Sequence, residues 1–194
     1  IKPILRKINV GMMINFTENI ARASGKYIAL CEGDDYWTDQ LKIQKQVDFL
    51  EKNNDFIITY SNTQAFDEKG LLEKDYSGSS VDLAKEDLQR CAAISTATVC
   101  IRNLSILRNF PQEGLTSKFG DLFLWSILGN YGKGKYLPNI KKTMYRIHDG
   151  GVFSKQSQYH RKNMWLMTAF SLYMYYYRVK DQELTSHFLK EIIK

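Results

Sequence analysis

Hydrophobic positions in the first third of the chain follow helical and strand-like spacings in turn. Apolar side chains recur every three or four residues over 11–23, whereas 26–31 is a short apolar run after a turn signal at Ser24-Gly25. The predicted elements, in order, are a helix over 11–23, a strand over 26–31, a helix capped by Thr38 and ending near 53–54, and a strand over 56–60. Helices and strands that alternate in this way predict a layered α/β domain.

The rest of the chain is less regular. The polar stretch 67–80 predicts a surface excursion, and 96–102 predicts a strand, with Asn103 capping a short helix after it. Further predicted elements are a helix over 120–129, a strand over 135–148 that Pro138 breaks or confines to a sheet edge, and two helices from 158 onward that meet near 180–181. The longest apolar stretch, 164–177, is shorter than the roughly 18–20 residues needed to cross a bilayer.

Composition is typical of a globular protein with one ordinary domain. A chain of 194 residues is long enough for a real core, and 44% hydrophobic with 25% charged residues excludes a disordered or repetitive protein. The three cysteines lie at wide spacings that fit neither a zinc pattern nor a disulfide framework. Buried thiols in a reducing compartment are the simplest interpretation, so we expect a cytoplasmic protein, with the inner face of the membrane as a second location.

Positive charge is concentrated late in the chain. The formal net charge is +6, and the stretch 133–162 holds eight lysines and arginines against one acid, Asp149. Such a stretch suits an anionic partner, whether a diphosphate, an anionic lipid surface or a nucleic acid. A solvated basic face is the alternative explanation. Because no nucleic-acid motif accompanies the charge, we expect no nucleic-acid partner.

The strongest local signal is the acidic sequence Glu32-Gly33-Asp34-Asp35, which directly follows a predicted buried strand. Three carboxylates repel one another in a low-dielectric crevice, and the carboxyl ends of strands in open α/β sheets are where ligands bind. A hard divalent cation resolves that conflict, since Mg²⁺ takes oxygen ligands from one or two carboxylates and from phosphate and water. The alternative is an acidic turn in which Asp34 or Asp35 only caps the next helix.

Four short segments resemble the family 2 glycosyltransferases with the GT-A fold. They are Asn9-Val10-Gly11 with Asn15, the run Ala23–Leu30, the run Glu32–Trp37 and the run Lys42–Leu50. The resemblance implies a GT-A-like (Rossmann-like) α/β fold, with a mixed sheet flanked by helices, and a nucleotide-diphosphate-sugar donor. It also implies Mg²⁺ or Mn²⁺ held by a DxD-type motif at Glu32, Asp34 and Asp35, with Asn15 and Asp34 on the donor side.

Two later segments resemble the same family more loosely. Phe119-Gly120-Asp121 stands where the family places the base that deprotonates the acceptor hydroxyl, which implies a catalytic role for Asp121 and inversion in a single displacement. The segment Tyr145–Ser154 resembles a "YRxHxGGxxS" sequence near the donor site. This implies diphosphate contacts for Arg146 and His148, or a place for His148 in the metal shell. The plain alternatives are a helix-capping Asp121 and a structural His148.

Two aromatic residues, Tyr36 and Trp37, complete the candidate site, because they follow the acidic sequence and could stack on the sugar or the acceptor. Core positions for both are the alternative. The sequence also departs from the family pattern, with Glu32 in the first DxD position and Gly120 where the family often has Glu.

The family's first strand and nucleobase-binding Asp segment normally precede Asn9, and this sequence contains no such segment. We therefore expect 1–154 to be the C-terminal part of a GT-A domain and 155–194 to be a helical extension. Donor binding is expected to be poor unless the upstream part is supplied.

Several functions and partners stay open at this point. A nucleotidyltransferase would call for a Gly-rich phosphate loop, which the sequence lacks, but a non-catalytic nucleotide-sugar or carbohydrate-binding module of the same fold is a real alternative. The acceptor is expected to be a glycan or a lipid-linked glycan. The aromatic helices after 158 are expected to pack on the catalytic domain, to form a homodimer face, or to rest on a membrane surface.

Overall fold

The computed structural model describes residues 3–151 and 156–194. The helices are α1 (Met12–Arg22), α2 (Lys42–Lys52), α3 (Lys85–Gln89), α4 (Ser105–Arg108), α5 (Gly120–Leu128), α6 (Gln158–Arg178) and α7 (Gln182–Ile193). The strands are β1 (Tyr27–Ala29), β2 (Phe56–Tyr60), β3 (Thr63–Asp67), β4 (Gly70–Leu71), β5 (Cys100–Arg102), β6 (Lys133–Tyr136) and β7 (Thr143–Arg146). Two 3₁₀ turns cover Thr96–Thr98 and Gln112–Thr116.

The strands form two small sheets. The larger has the order β1-β5-β2-β6, with antiparallel pairs except for the parallel pair β2–β6. The smaller has the order β4-β3-β7, in which β3 and β7 run parallel with Thr63 opposite Thr143. Helices accompany both sheets, so the predicted mixed α/β class is confirmed.

The core lies between the larger sheet and helices α5, α6 and α7. Strand β2 is buried on both faces, and α5 is mostly apolar and buried from Phe123 to Leu128, as expected of a strand and a helix in a core. Trp125 of α5 is fully buried, and Tyr176 of α6 stacks on Phe188 of α7 with ring centroids 5.7 Å apart. Each such side chain contributes about 1.5–3 kcal/mol through burial alone. Within the described residues, no helix has both the length and the apolar character to cross a membrane.

Thr38 was predicted to cap α2, and this prediction is wrong because the Thr38 side chain forms its hydrogen bond elsewhere. The helix begins at Lys42, and the Thr38 hydroxyl donates to the backbone oxygen of Lys142 at 2.7 Å. Asp39 instead accepts the amide of Leu41 at 2.9 Å and stabilises the turn that leads into the helix. The bond from Thr38 therefore ties the segment before α2 to the start of β7.

Asn103 was predicted to cap α4, and this prediction is also wrong because the Asn103 side chain bonds elsewhere. The residue that precedes this helix is Leu104, and it makes no side-chain capping bond. The Asn103 amide donates instead to the backbone oxygens of Ala23 and Gly25, at 2.8 and 2.7 Å. Asn103 thus fixes the turn between α1 and β1.

Strand boundaries differ from the predictions where backbone pairing, rather than hydrophobicity, decides them. The predicted strand 26–31 is paired only over 27–29, and 96–102 divides into a 3₁₀ turn and the short β5. The predicted strand 135–148 is two strands in different sheets, β6 and β7, with Pro138 in the connection. The surface excursion 67–80 includes the short strand β4, while the preceding β3 was not predicted.

Helices α6 and α7 meet at 179–181, where the sequence predicted their junction. Buried residues of both helices belong to the same apolar cluster as α5. The domain boundary predicted at 154 lies outside the described residues, and the division into 1–154 and 155–194 stays a prediction.

Candidate functional site

The segment Glu32–Trp37, called the acidic loop below, leaves the carboxyl end of β1. The amide of Leu30 bonds the Val99 carbonyl at 3.3 Å, and the chain then turns, with the amide of Asp35 donating to the Glu32 carbonyl at 3.2 Å. This turn gathers three carboxylates, those of Glu32, Asp34 and Asp35, at the end of a sheet strand. That is the part of an open α/β sheet where ligands generally bind.

Strand β7 holds the acidic loop from the other side. Tyr36 and Met144 exchange two backbone hydrogen bonds of 3.2 and 2.9 Å. The amide of Arg146 donates to Asp35 Oδ1 at 2.9 Å, and its side-chain Nε donates to the Asp34 carbonyl at 3.1 Å. Arg146, predicted as a donor-site residue, therefore lies directly against the acidic loop.

His148 adds a side-chain contact to the same loop. Its Nε2 lies 2.9 Å from Asp34 Oδ2, and both side chains keep partial exposure. This contact joins the two side chains and restricts the orientation of Asp34. The loop 149–151 follows, and Val152, Phe153 and Ser154 of the predicted segment lie outside the described residues.

The surroundings of the acidic loop disfavour the ionised form of two of its carboxylates, those of Glu32 and Asp35. Partial burial raises the pKa of Glu32 to about 7, with further contributions from the negative charges of Asp35 and Asp121. Partial burial likewise raises the pKa of Asp35 to about 6, and the charge of Asp34 adds to it. Glu32 is exposed as a whole residue, so its raised pKa comes from the crevice around its carboxylate group. Asp35 Oδ2 is buried and accepts no hydrogen bond within the described residues.

The oxygen donors of this loop fit a divalent cation that is shared with a ligand. Hard carboxylate oxygens, raised pKa values and an unpartnered buried oxygen are the features that a bound cation would satisfy. Among the residues that the structure describes, three or more acidic, histidine or cysteine side chains do not converge into a complete metal cage. Mg²⁺ takes one or two carboxylates and completes its shell with phosphate oxygens and water, so a two-carboxylate site suffices.

Asp121 lies at the amino end of α5 and faces Glu32. Its Oδ1 accepts the amide of Leu122 at 2.8 Å, and partial burial raises its pKa. The residue before it, Gly120, packs on α1 so closely that a Cβ there would overlap the thioether of Met13. A larger residue at this position would require the flexible end of the Met13 side chain to shift, and Asp121 provides the carboxylate at this end of α5.

Thr96 connects Asp121 to the acidic loop and was not predicted. Its hydroxyl donates to Asp121 Oδ2 at 3.3 Å, and it also lies within hydrogen-bonding reach of Glu32. The residue belongs to a 3₁₀ turn that precedes β5. In the sequence it stands in a β-prone stretch, which offers no signal for a site residue.

The two aromatic residues of the acidic loop are half-exposed rather than buried in the core. Tyr36 is 47% exposed and meets Phe66 edge-on with ring centroids 5.6 Å apart. The Arg146 guanidinium lies 4.6 Å from the same Phe66 ring. Trp37 is 37% exposed, and its Nε1 donates to the Ala97 carbonyl at 2.8 Å. Both rings are thus available for contact beside the carboxylates.

Asn15, predicted on the donor side, lies on α1 in a separate place. Its Oδ1 accepts from Arg6 Nε at 3.2 Å and from Asn19 at 3.4 Å. It lines an open cavity of about 330 Å³ together with 4, 6 and 8–12. A second open cavity of about 460 Å³ lies beside Asp39 and Lys141. The acidic loop borders neither of these two cavities.

The basic stretch 133–162 does not form one uninterrupted cationic face. Lys133 pairs with Asp55 at 3.0 Å, and Lys135 pairs with Asp82 at 2.8 Å. Exposed pairs of this kind stabilise the fold by only about 0–1 kcal/mol, and they neutralise part of the stretch. Arg146 contacts the acidic loop directly.

Comparison with known proteins adds family information to this geometry. The family model described as glycosyl transferase family 2 matches residues 1–110. Uncharacterized protein Rv1520 of Mycobacterium tuberculosis is 30% identical over 156 residues, which are 78% of this chain and 43% of that protein. The Escherichia coli UDP-Glc:alpha-D-GlcNAc-diphosphoundecaprenol beta-1,3-glucosyltransferase WfaP is 28% identical over 133 residues, which are 67% of this chain and 49% of that protein.

A solved structure shares the fold. TarS of Staphylococcus aureus, crystallised with UDP-GlcNAc, matches with a TM-score of 0.50 and 12% identity over 80% of this chain and 45% of that chain. This likeness identifies the mixed α/β architecture as GT-A-like, as predicted. The chain spans less than half of the length of each of these relatives.

Proposed function

The chain belongs to glycosyl transferase family 2, and from this premise we propose that it transfers a sugar from a nucleotide-diphosphate donor to a hydroxyl acceptor, with inversion and with a divalent cation. The observation that carries the proposal is the convergence of the acidic loop, Arg146 and Asp121 at the end of β1. That arrangement offers a place for a cation and diphosphate on one side and a base for the acceptor on the other.

The donor diphosphate would be held at the acidic loop. Asp35, through its unpartnered Oδ2, would bind Mg²⁺ or Mn²⁺ with help from Glu32 and Asp34. When bound, the cation would neutralise the negative charge that grows on the departing nucleoside diphosphate. Arg146 stands beside the loop and offers a second positive group for phosphate oxygens, while His148 holds Asp34 in orientation. A nucleotide-sugar donor is supported by the UDP-GlcNAc bound to TarS and by the UDP-Glc in the name of WfaP.

Asp121 would activate the acceptor. A sugar hydroxyl becomes a good nucleophile when a positioned base removes its proton during attack, and Asp121 Oδ2 is a carboxylate oxygen that points toward Thr96 and Glu32. Burial raises its pKa and therefore strengthens it as a base. Attack from the side opposite the leaving diphosphate gives inversion. Tyr36 and Trp37 would border the acceptor with their exposed ring surfaces.

A thermal-shift panel of nucleotide-diphosphate sugars tests this proposal. We expect the melting temperature to rise with one donor and Mn²⁺ together, and to change little with either alone, because the diphosphate completes the cation shell. Nucleoside monophosphates serve as the control, since they lack the bridging diphosphate. A shift of equal size without Mn²⁺ would argue against cation dependence, and no shift with any donor would argue against the proposed function.

We propose that the exposed face of α6 contacts an anionic membrane surface, where a lipid-linked glycan acceptor would lie. This face carries apolar and aromatic side chains along the helix, namely Tyr159, Leu166, Met167, Phe170, Met174 and Tyr177. Tyr159 and Tyr177 are 76% and 65% exposed, and amphipathic tyrosine rings suit the headgroup level of a membrane. The helix contains no acid, and Lys162 and Arg178 flank the face. Lys162 and the absence of acidic residues from this helix favour an anionic lipid surface as the partner.

Vesicle co-sedimentation tests this contact. We expect binding to phosphatidylglycerol vesicles, weak binding to phosphatidylcholine vesicles, and roughly a tenfold or greater loss in Phe170→Ser, since burying one Phe contributes about 1.5–3 kcal/mol. Leu189→Ser, an exposed apolar residue of α7, is the matched control and should bind as the unaltered chain does. Equal binding to both vesicle types, or a stable dimer in light scattering that Phe170→Ser dissolves, would overturn the membrane assignment.

A further inference from the structure

Lys42 is buried to an extent that is rare for lysine. It is the first residue of α2, it is 1% exposed, and it ranks among the largest fully buried side chains. Lysine is almost never buried completely without a compensating partner, because removing an ammonium group from water is costly. Burial lowers the pKa of Lys42 to about 8. An apolar side chain of similar volume would fill the same space without this cost, so the ammonium group itself calls for an explanation.

The contacts of the ammonium group point toward the acidic loop. Lys42 Nζ donates to Gln46 Oε1 at 2.8 Å and lies 4.5 Å from the centroid of the Trp37 ring. A cation over the face of an indole is attracted by the ring, and the attraction is stronger in a desolvated place such as this. The ion pairs found among the described residues do not include Lys42. The ammonium group therefore contacts Trp37 and Gln46, and the thiols of Cys31 and Cys100 lie near enough to interact with it electrostatically.

Both partners lead to the 3₁₀ turn that carries Thr96. The buried Gln46 side chain donates from Nε2 to the backbone oxygens of Thr59 and Thr98, at 3.2 and 2.9 Å. Trp37 donates to the Ala97 carbonyl at 2.8 Å. The same 3₁₀ turn presents the Thr96 hydroxyl to Asp121. A continuous set of contacts thus joins α2, the end of the acidic loop and the turn beside Asp121.

We infer that Lys42 is a positioning residue, which fixes the Trp37 ring and thereby sets the acidic loop relative to Thr96 and Asp121. The inference rests on the proposed function, because it assigns a role in aligning the two sides of the proposed transfer site. Lys42 itself touches neither the carboxylates nor a reacting group. Its effect on transfer passes through Trp37.

The first test measures the Trp37 ring directly and needs no substrate. Acrylamide quenching of fluorescence, with Trp37→Phe to subtract the signal of Trp125 and Trp165, reports the accessibility of the Trp37 ring. We expect Lys42→Met to increase that quenching while the melting temperature stays close to that of the unaltered chain. Phe188→Leu, a buried substitution in α7, is the matched control and should lower the melting temperature without changing Trp37 quenching. Unchanged quenching in Lys42→Met would overturn the inference.

The second test is a double-mutant cycle on transfer. Lys42→Met alone should reduce kcat/KM by roughly tenfold, the range of a desolvated cation–π contact. In the Trp37→Phe background the same substitution should have less than about a twofold further effect, because the two residues act as one unit. Additive losses would assign Lys42 to general packing and overturn its role through Trp37. If the unaltered chain transfers no sugar, the proposed function fails, whereas the quenching result still decides whether Lys42 holds the ring.

Discussion

Asp121→Asn is expected to lower kcat for sugar transfer by about 10²–10⁴-fold, the usual contribution of a positioned general base. The substitution keeps the shape of the side chain, and the amide oxygen can still accept the Leu122 amide that Oδ1 accepts now. It removes the basic oxygen that would take the acceptor proton. Donor affinity should stay within about twofold, because the proposed diphosphate contacts lie on the acidic loop and not on α5. Single-turnover product formation and donor titration measure the two effects separately.

The control for this prediction is a carboxylate outside the site. Glu113 pairs with Arg178 beside α6, so Glu113→Gln should leave transfer unchanged. Turnover by Asp121→Asn at the unaltered rate would place the base elsewhere. An unaltered chain that binds a nucleotide sugar but transfers nothing to any acceptor would instead support the alternative, a non-catalytic binding module of the same fold.

Asp35→Asn is expected to weaken cation-dependent donor binding by roughly 100-fold, because one charged ligand of a divalent ion is lost in a partly buried place. The amide oxygen can still accept from the Arg146 backbone, as Asp35 Oδ1 does. Since burial and the charge of Asp34 already disfavour the ionised Asp35, the neutral variant should be at least as stable to unfolding. Lower affinity without lower stability is the signature of a ligand-binding carboxylate, and calorimetric donor titration with thermal unfolding measures both.

Asp39→Asn is the matched control for that substitution. Asp39 lies four residues further along the chain, where it pairs with Lys45 at 2.8 Å and accepts the Lys141 amide at 3.0 Å. Those contacts hold the pKa of Asp39 down, to about 2, so its loss should affect local stability and leave cation-dependent binding intact. If Asp35→Asn and Asp39→Asn weakened donor binding equally, the assignment of Asp35 as a cation ligand would be wrong.

Hydrophobic patterns in the sequence were sufficient to locate the helices and strands that are defined mainly by their apolar side chains. Strand β2 was predicted at 56–60 and is found there, and the amphipathic α1 and the apolar α5 were placed within one or two residues. The acidic loop at the end of a buried strand was also evident, because carboxylates directly after an apolar run are unusual. These features are set by residues that lie close together in the sequence, so the spacing of apolar residues is enough to reveal them.

Features that depend on distant pairing were missed or misassigned. Strand β3 pairs with β7 eighty residues later, from Thr63 to Thr143, and the weak alternation over 135–148 does not reveal which strand is the partner. Thr38 was expected to cap α2, but the approach of Lys142 gives its hydroxyl a different acceptor. Thr96 becomes a site residue only because a 3₁₀ turn brings it beside Asp121. Long-range contacts of this kind leave no local pattern in the sequence.

For other candidate residues, the surroundings could not be derived from the sequence. His148 and Asp34 are 114 residues apart in the chain and 2.9 Å apart in space. The half-exposure of Tyr36 and Trp37, which the sequence left open, follows from the backbone pairing of Tyr36 with Met144 at the edge of the smaller sheet. The predicted roles of Asn15, Arg146 and His148 toward a donor stay predictions.

Calorimetric titration of the protein with its nucleotide-diphosphate sugar, in the presence and absence of Mn²⁺, tests most directly whether the acidic loop holds a cation against a diphosphate. The account predicts measurable binding that depends on Mn²⁺, and loss of that dependence in Asp35→Asn but not in Asp39→Asn. Donor binding of the same affinity with Mn²⁺ and with a chelator, unchanged by Asp35→Asn, would contradict it.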